Sequence, residues 1–315
     1  MELFFSKDKP YIDISQGMGI ALGNFDGLHV GHIELINRLI RICKQKNLKS
    51  MVYTFDKHPQ NKMTGSMKVP IITPNKLKAQ ILARYDIDFL LFEEFTEHIM
   101  HMSAEDFVKN ILVDRFNVKA VVVGFHYRFG YQAKGDVGLL RELGKRYDFY
   151  VEVVEPVEYE GNLVSSTMIR ELIQAGDVER ASVLLNRYYS IMGKVVRGKK
   201  IGNKIGFPTI NIFPDTCQVL PSKGVYITNT VIQGDVFNSI SNIGENPTVN
   251  DDKGIRIETH IFDFNEILYD RDVTIQFIKK VREEKKFERL EDLADQISKD
   301  VQYAKDYFEH QKILT

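Results

Sequence analysis

Five short apolar runs, at 18–23, 50–55, 88–92, 120–125 and 149–154, are separated by stretches with apolar residues at helical spacing, at 31–46, 75–84, 103–116 and 137–146. Such alternation argues for a parallel sheet flanked by helices, an α/β architecture. In sheets of this kind ligands bind beyond the carboxyl ends of the strands. A helix pattern from Asp177 to Asn186 closes the series. After Tyr188-Tyr189-Ser190 the alternation stops, and short strand patterns follow at 190–197, 209–213, 224–233, 236–243, 256–263 and 273–280. Gly234-Asp235 reads as a two-residue hairpin turn. Many short strands with few helices suggest a small closed antiparallel barrel. Phe287, Leu290, Leu293, Ala294, Ile297, Val301, Ala304 and Phe308 then mark one amphipathic terminal helix packed on it. The division falls near residue 187, giving two domains, 1–187 and 188–315.

Composition removes several classes. Basic and acidic residues number 42 and 43, so nothing points to nucleic acid or to an anionic membrane as partner. The two cysteines, Cys43 and Cys217, form no CxxC. That fits a reduced, cytoplasmic protein without a zinc site. No apolar run approaches the roughly 18 residues of a membrane span, and Met1 to Lys9 lack a signal-peptide pattern. Small-molecule substrates and a monomer or weak homo-oligomer are expected.

The first strand runs straight into Gly23-Asn24-Phe25-Asp26-Gly27-Leu28-His29-Val30-Gly31-His32. A helical pattern, Leu35, Ile36, Leu39, Ile40 and Cys43, leaves it. Two glycines and two histidines thus sit where a strand becomes a helix N-terminus, with backbone N–H groups and the positive dipole end turned outward, a setting that suits phosphate. His29 and His32 are three apart and can project from the first turn toward one bound group. This stretch resembles the H-x-G-H signature of nucleotidyltransferases. In its fuller form it resembles the FMN adenylyltransferase half of the prokaryotic bifunctional riboflavin kinase/FAD synthetase family.

Three further segments carry the resemblance through the first half. Thr54-Phe55-Asp56-Lys57-His58-Pro59 resembles the family's F-x-x-H-P, near the flavin. Val123-Gly124-Phe125-His126-Tyr127-Arg128-Phe129-Gly130 resembles V-G-x-[ND]-F-x-F-G, with His126 and Tyr127 in place of the usual Asn or Asp and Phe. Ser165-Ser166-Thr167-Met168-Ile169-Arg170 resembles S-S-T-x-I-R. One serine would cap a helix here, and the hydroxyls with Arg170 one turn on would suit a triphosphate.

In the second half, Gly193 to Lys200 is no P-loop, because Lys200 follows Gly198-Lys199 where Ser or Thr is needed. Gly17 and Gly19 start no dinucleotide fingerprint, because Leu22 stands at its third glycine. Gly198 through Gly206-Phe207-Pro208-Thr209-Ile210-Asn211 resembles the riboflavin kinase signature ending G-F-P-T-A-N. Thr209 and Asn211 share one face of an extended segment, and two neutral oxygens can ligate Mg²⁺ beside ATP phosphates. Ser241 to Thr248 resembles N-I-G-x-N-P-T. Ile257 to Asp263 resembles E-x-H-x-x-D, with Glu258 and His260 on the face opposite Ile257, Thr259 and Ile261. Arg282-Glu283-Glu284-Lys285-Lys286-Phe287 resembles R-x-E-x-x-F. Asn203 replaces a usual Arg, Ile210 an Ala and Val249 a Phe. His98 and His101 have no third ligand at metal spacing.

The resemblance spans nearly the whole chain. It implies a Rossmann-like nucleotidyltransferase domain followed by a riboflavin kinase-like barrel. The expected activities are phosphorylation of riboflavin to FMN and adenylylation of FMN to FAD. It makes His29, His32 and Glu258 catalytic, with Glu258 the base for the ribityl hydroxyl. It places ATP of the first activity on Gly23, Asn24, Phe25, Asp26, Gly31, Ser165, Ser166, Thr167 and Arg170, and that half's flavin on Phe55, His58, Pro59, His126 and Arg128. In the barrel, ATP would meet Gly198, Gly202, Gly206, Pro208, Thr209 and Asn211. Mg²⁺ would sit on Thr209 and Asn211, and flavin by Arg282 and Glu284. Two alternatives stay open: a single-activity FAD synthetase whose barrel only binds flavin, favoured by Asn203, and a flavin-binding regulatory protein without catalysis.

Overall fold

The computed structural model describes residues 1–8, 10–64, 69–198, 202, 205–245 and 255–313. The chain divides into two compact units, Met1–Ser166 and Thr167–Thr315.

In the first unit, six strands form one parallel sheet: β1 (Glu2–Phe5), β2 (Met18–Leu22), β3 (Lys49–Phe55), β4 (Phe89–Glu93), β5 (Val118–Gly124) and β6 (Tyr150–Val154). Their order is β1-β4-β3-β2-β5-β6, and a separate two-stranded antiparallel hairpin, β7 (Glu158–Tyr159) and β8 (Asn162–Leu163), follows the last of them. The five expected strands are present with small shifts at their ends. β1 was not anticipated: it is too short for a period to show, and it lies at the sheet edge, paired with β4. The central strands are buried on both faces, as helices on two sides require. Met18, Ile20 and Leu22 enter one core with Tyr53, Leu91 and Val121. Ala21 enters the other with Leu39, Val52 and Val122.

The helices of this unit are α1 (Val30–Lys46), α2 (Pro59–Thr64), α3 (Asn75–Leu82), α4 (Glu97–His101), α5 (Ala104–Asp106, running on as a π-helix over Phe107–Arg115) and α6 (Val137–Arg146). α1 buries Leu35, Ile36, Leu39, Ile42 and Cys43. It ends at Asn47, whose left-handed backbone returns its N–H to the Cys43 carbonyl. From β2 the chain moves to β3 and β4 on one side, then to β5 on the other. The winding reverses between β2 and β5, and the loops leaving those two strands open a crevice there.

The second unit contains α7 (Ser166–Ala175, whose first residue belongs to the first unit) and α8 (Val178–Leu185). Asp177 caps α8 by accepting from the Arg180 N–H, and Asn186 ends it in the left-handed region. α8 belongs with the barrel by contact: its Glu179 pairs with Lys279 at 3.5 Å. The closed antiparallel barrel is β9 (Tyr189–Val196), β10 (Ile210–Ile212), β11 (Gly224–Ile232), β12 (Asp235–Glu245), β13 (Ile255–Ile261) and β14 (Asp272–Arg282), in the order β10-β13-β12-β11-β14-β9. Its interior includes a hydroxyl chain: Thr228 to Ser239 and Ser241 at 2.9 and 2.8 Å, and Ser241 to Thr259 at 2.7 Å. The β11–β12 hairpin turns on Gln233-Gly234, with Ile232 opposite Asp235, rather than on Gly234-Asp235. Both turn residues have positive φ, as a type I′ turn demands. The terminal helix α9 (Leu290–Ile313) packs Ile297, Val301, Ala304 and Phe308 against Val225, Ile240 and Phe262. Phe287, expected on this helix, precedes it and lines a cavity instead.

Candidate active sites

The turn after β2 is held by its own carbonyl groups. The Asn24 carbonyl accepts from Thr54 Oγ1 at 3.0 Å and from Lys78 Nζ at 2.8 Å. The Asp26 carboxylate accepts from the N–H groups of Ile72 (2.9 Å) and Thr73 (3.0 Å). The Asp26 carbonyl accepts from Ser166 Oγ at 2.8 Å. Phe25 and Leu28, fully buried, adopt left-handed backbone at φ 47° and 44°. Such conformations persist only where surrounding contacts over-determine them, and these anchors do so. Asp26, expected at ATP, thus also splints the turn to the segment before α3.

His29 is the N-cap of α1, and its Nδ1 accepts from the His32 N–H at 3.4 Å. The two imidazoles stack with centroids 3.7 Å apart, and Phe25 flanks His32 at 5.3 Å. Gly31 makes this possible. A Cβ there would come within 3.2 Å of the His29 ring, so a side chain would push the imidazole from its place. The H-x-G-H spacing therefore has a packing cause as well as a chemical one.

A cavity of about 900 Å³ opens beside the turn. It gathers Gly23 and Asn24 from the turn, Phe55, His58 and Pro59 from the end of β3, and His126 and Arg128 from the loop after β5. All five residues expected at the flavin thus line one space, reached from both sides of the reversal point. Phe95, Tyr127 and Tyr131 add aromatic wall. The His126 ring lies tilted against Phe125, with centroids 3.6 Å apart. Arg128 leans toward Asp136 at 3.6 Å. Burial pushes the Tyr127 phenol well above its ordinary range. His101 lines the same cavity, its Nδ1 against the Glu97 carbonyl, and among the described residues no group of His, Cys, Asp and Glu could hold a metal.

The hydroxyl run divides. The Ser166 hydroxyl, expected as a helix cap or a phosphate donor, is given to the Asp26 carbonyl. Thr167 is exposed on the first turn of α7, and Arg170 follows one turn on.

In the barrel, a cavity of about 230 Å³ is lined by Gly202, Thr209, Asn242, Glu258, Arg282 and Glu284, with Phe287 and Ile297 among its apolar walls. A second, of similar size, is lined by Pro208, Thr209, Ile267 and Tyr269. Thr209 belongs to both. Asn211 on β10 faces Glu258 on β13, and Glu258 faces Asn242 on β12, by strand register. Asn211 is buried, and its Oδ1 accepts from Arg256 at 3.3 Å. Gly198 lies so close to the Asn211 amide that any Cβ would overlap it. The Gly202 carbonyl accepts from the N–H groups of Ile205 and Phe207 at 3.2 and 2.8 Å, closing a turn through Gly206 at φ +85°. His260 bonds the Pro208 carbonyl through Nδ1 at 2.8 Å, a structural tie that holds Pro208 beside Thr209. Arg282 lines the first cavity, but its guanidinium is committed to Asp300 of α9 in a forked pair at 2.7–3.1 Å. Asn203, Pro247 and Val249 lie outside the described residues.

Sequence reasoning missed Lys78 and Asp300. Each is a buried charge on an apolar helix stripe: Lys78 with Ile81 and Leu82, Asp300 with Ile297, Val301 and Ala304. A charge at an apolar position was the signal that could have found them.

A histidine-bearing turn at the reversal point of a parallel sheet defines a nucleotide-binding α/β unit, here joined to a small barrel with paired cavities. Residues 12–168 match the FAD synthetase family and residues 185–308 the riboflavin kinase family. A bifunctional riboflavin kinase/FMN adenylyltransferase of Listeria monocytogenes is 36% identical over 301 residues, 95% of this chain and 94% of the relative. One from Haemophilus influenzae is 33% identical, covering 94% and 96%. A solved structure from Streptococcus pneumoniae, described as a macrolide-efflux protein, superposes with a TM-score of 0.84 at 28% identity, covering 96% of this chain and 98% of that one. In the present chain, no helix among the described residues is long and apolar enough to cross a membrane. The chain belongs to the bifunctional riboflavin kinase/FMN adenylyltransferase family.

Proposed function

We propose that the chain makes FAD in two ATP-dependent steps: the barrel phosphorylates riboflavin to FMN, and the sheet unit joins FMN to AMP with release of pyrophosphate. One observation carries the reading. In each unit, motif residues far apart in sequence converge on a cavity of that unit, Phe55, His58 and His126 in one and Thr209, Glu258 and Glu284 in the other.

In the barrel, Glu258 takes the proton of the ribityl hydroxyl. The oxygen forms its bond to the γ-phosphorus while the bond to the β-phosphate bridge breaks, leaving ADP. The two cavities that share Thr209 suit a flavin in one and a nucleotide in the other, with transfer between them past Thr209. Thr209 and Asn211 would hold Mg²⁺. The donor set fits, since a neutral hydroxyl and an amide oxygen with a second lone pair beyond its Arg256 contact are acceptable ligands. When bound, the ion offsets phosphate charge. Backbone groups of Gly198, Gly202 and Gly206, with Pro208, shape the phosphate loop.

In the sheet unit, an FMN phosphate oxygen attacks the α-phosphorus and the α–β bridge breaks, releasing pyrophosphate. The nucleophile is already anionic, so positioning and charge stabilisation carry the step. His29 and His32 stabilise the charge on the α-phosphate. Gly23, Asn24, Phe25, Asp26 and Gly31 form the turn that receives ATP. Ser165 through its hydroxyl and Ser166 through its backbone N–H hold the departing pyrophosphate. The reaction takes place in the cytoplasm, on small molecules, in a monomer or weak homo-oligomer.

The test is product analysis with paired variants. His29→Ala is expected to abolish FAD formation from FMN and spare FMN formation, and Glu258→Ala the reverse. Equal loss of both activities in either variant contradicts the two-site reading.

A further inference from the structure

The buried ammonium of Lys78 has no part in the chemistry just described, yet it reaches the catalytic turn. Its Nζ donates to the Asn24 carbonyl at 2.8 Å and lies 5.8 Å over the Phe92 ring. The groups facing it are the Asp26 carboxylate of the turn, the Thr54 hydroxyl of β3 that shares the same carbonyl, and the Phe92 ring of β4. A lysine is placed this deep only against a strong partner. Lys78 and Thr54 hold that carbonyl inward, from α3 and from β3, while Gly23 and Asn24 line the cavity beside the turn. The turn that carries His29 and His32 is thus fixed at its start by a charged and a neutral donor on one carbonyl oxygen.

Resting on the reading of the sheet unit as an adenylyltransferase, we propose that Lys78 is a positioning residue, which fixes the Asn24 carbonyl and so holds the turn that carries His29 and His32 in the arrangement that meets ATP. The ammonium form holds the carbonyl best, because a charged donor makes the stronger hydrogen bond. Burial brings Lys78 down to about 8, against the pull of Asp26. The clamp is therefore complete below pH 8 and weakens as pH rises through that value.

The experiment measures FAD formation from FMN and ATP across pH 6.5–9.5 (a range set about the Lys78 titration) for the full chain, Lys78→Met and Thr54→Val. Riboflavin phosphorylation in the same preparations reports an intact barrel. Lys78→Met is expected to lower kcat for FAD formation at pH 7 by roughly tenfold or more, with KM for FMN and the kinase rate unchanged. The fall in wild-type kcat through about pH 8 should be absent from this variant. Thr54→Val, which removes the second donor but keeps the charge, should lower kcat less and retain that fall. Wild-type kcat and an unchanged pH profile in both variants overturn the role of Lys78 and leave the adenylyltransferase reading standing. Failure of the wild-type chain to make FAD from FMN overturns that reading itself.

Discussion

At the scale of single residues, buried position and chemical role coincide at the first site. His29 is nearly enclosed and stacked on His32, so truncating it removes a phosphate partner and a ring contact together. His29→Ala should lower FAD formation by at least about a hundredfold, read as kcat with FMN as substrate. Gly31→Ala tests the same geometry from the other side. The added methyl presses on the His29 ring at 3.2 Å, and a displacement well under an ångström should cost about tenfold in FAD formation. Circular dichroism of the variant should be unchanged. Lys78 gives a pH-dependent stability effect. Its folded value of about 8 lies below its ordinary value of 10.5, so between them the unfolded chain binds more protons and stability rises with pH. Below pH 8 the buried charge costs about 3 kcal/mol, against about 1 kcal/mol for the hydrogen bond lost on removing it. Lys78→Met should therefore stabilise the sheet unit at pH 7 and lose that advantage by pH 10, as followed by urea unfolding. Destabilisation at pH 7 would contradict a costly buried ammonium.

At the scale of elements, the loops after β2, β3 and β5 supply the first site because the winding reverses between β2 and β5. The barrel site depends instead on strand register. Asn211, Glu258 and Asn242 come side by side on β10, β13 and β12, and the buried Ser241–Thr259 bond sits one pair along. The terminal helix is fastened through Asp300, whose carboxylate takes both arms of Arg282 and the Gln296 amide. Asp300→Ala should destabilise the barrel by about 2–3 kcal/mol, below a fully buried pair because Arg282 is partly exposed. It should also raise KM for riboflavin, since Arg282 lines that cavity. A variant with unchanged melting would show that α9 is held by its apolar stripe alone. Much of this was legible in advance. Alternating periods gave the sheet and the barrel because both rest on burial patterns that recur locally. The short edge strand β1 has too few residues to show a period. The split of Ser166 toward Asp26, the tie of His260 to Pro208 and the commitment of Arg282 to Asp300 were not readable. Each depends on a partner 18 to 140 residues away, which no local pattern encodes.

At the scale of the whole molecule, two units carry two separable sets of groups, and the product of one proposed reaction is the substrate of the other. The family match covers both units. The measurement that bears most directly on this is a chromatographic time course with riboflavin, ATP and Mg²⁺, run beside one started from FMN. FMN appearing first and FAD after it, with FAD alone formed from FMN, is the expected result. FAD from FMN with riboflavin left untouched would contradict a working kinase in the barrel, and no product from either flavin would contradict catalysis in both units.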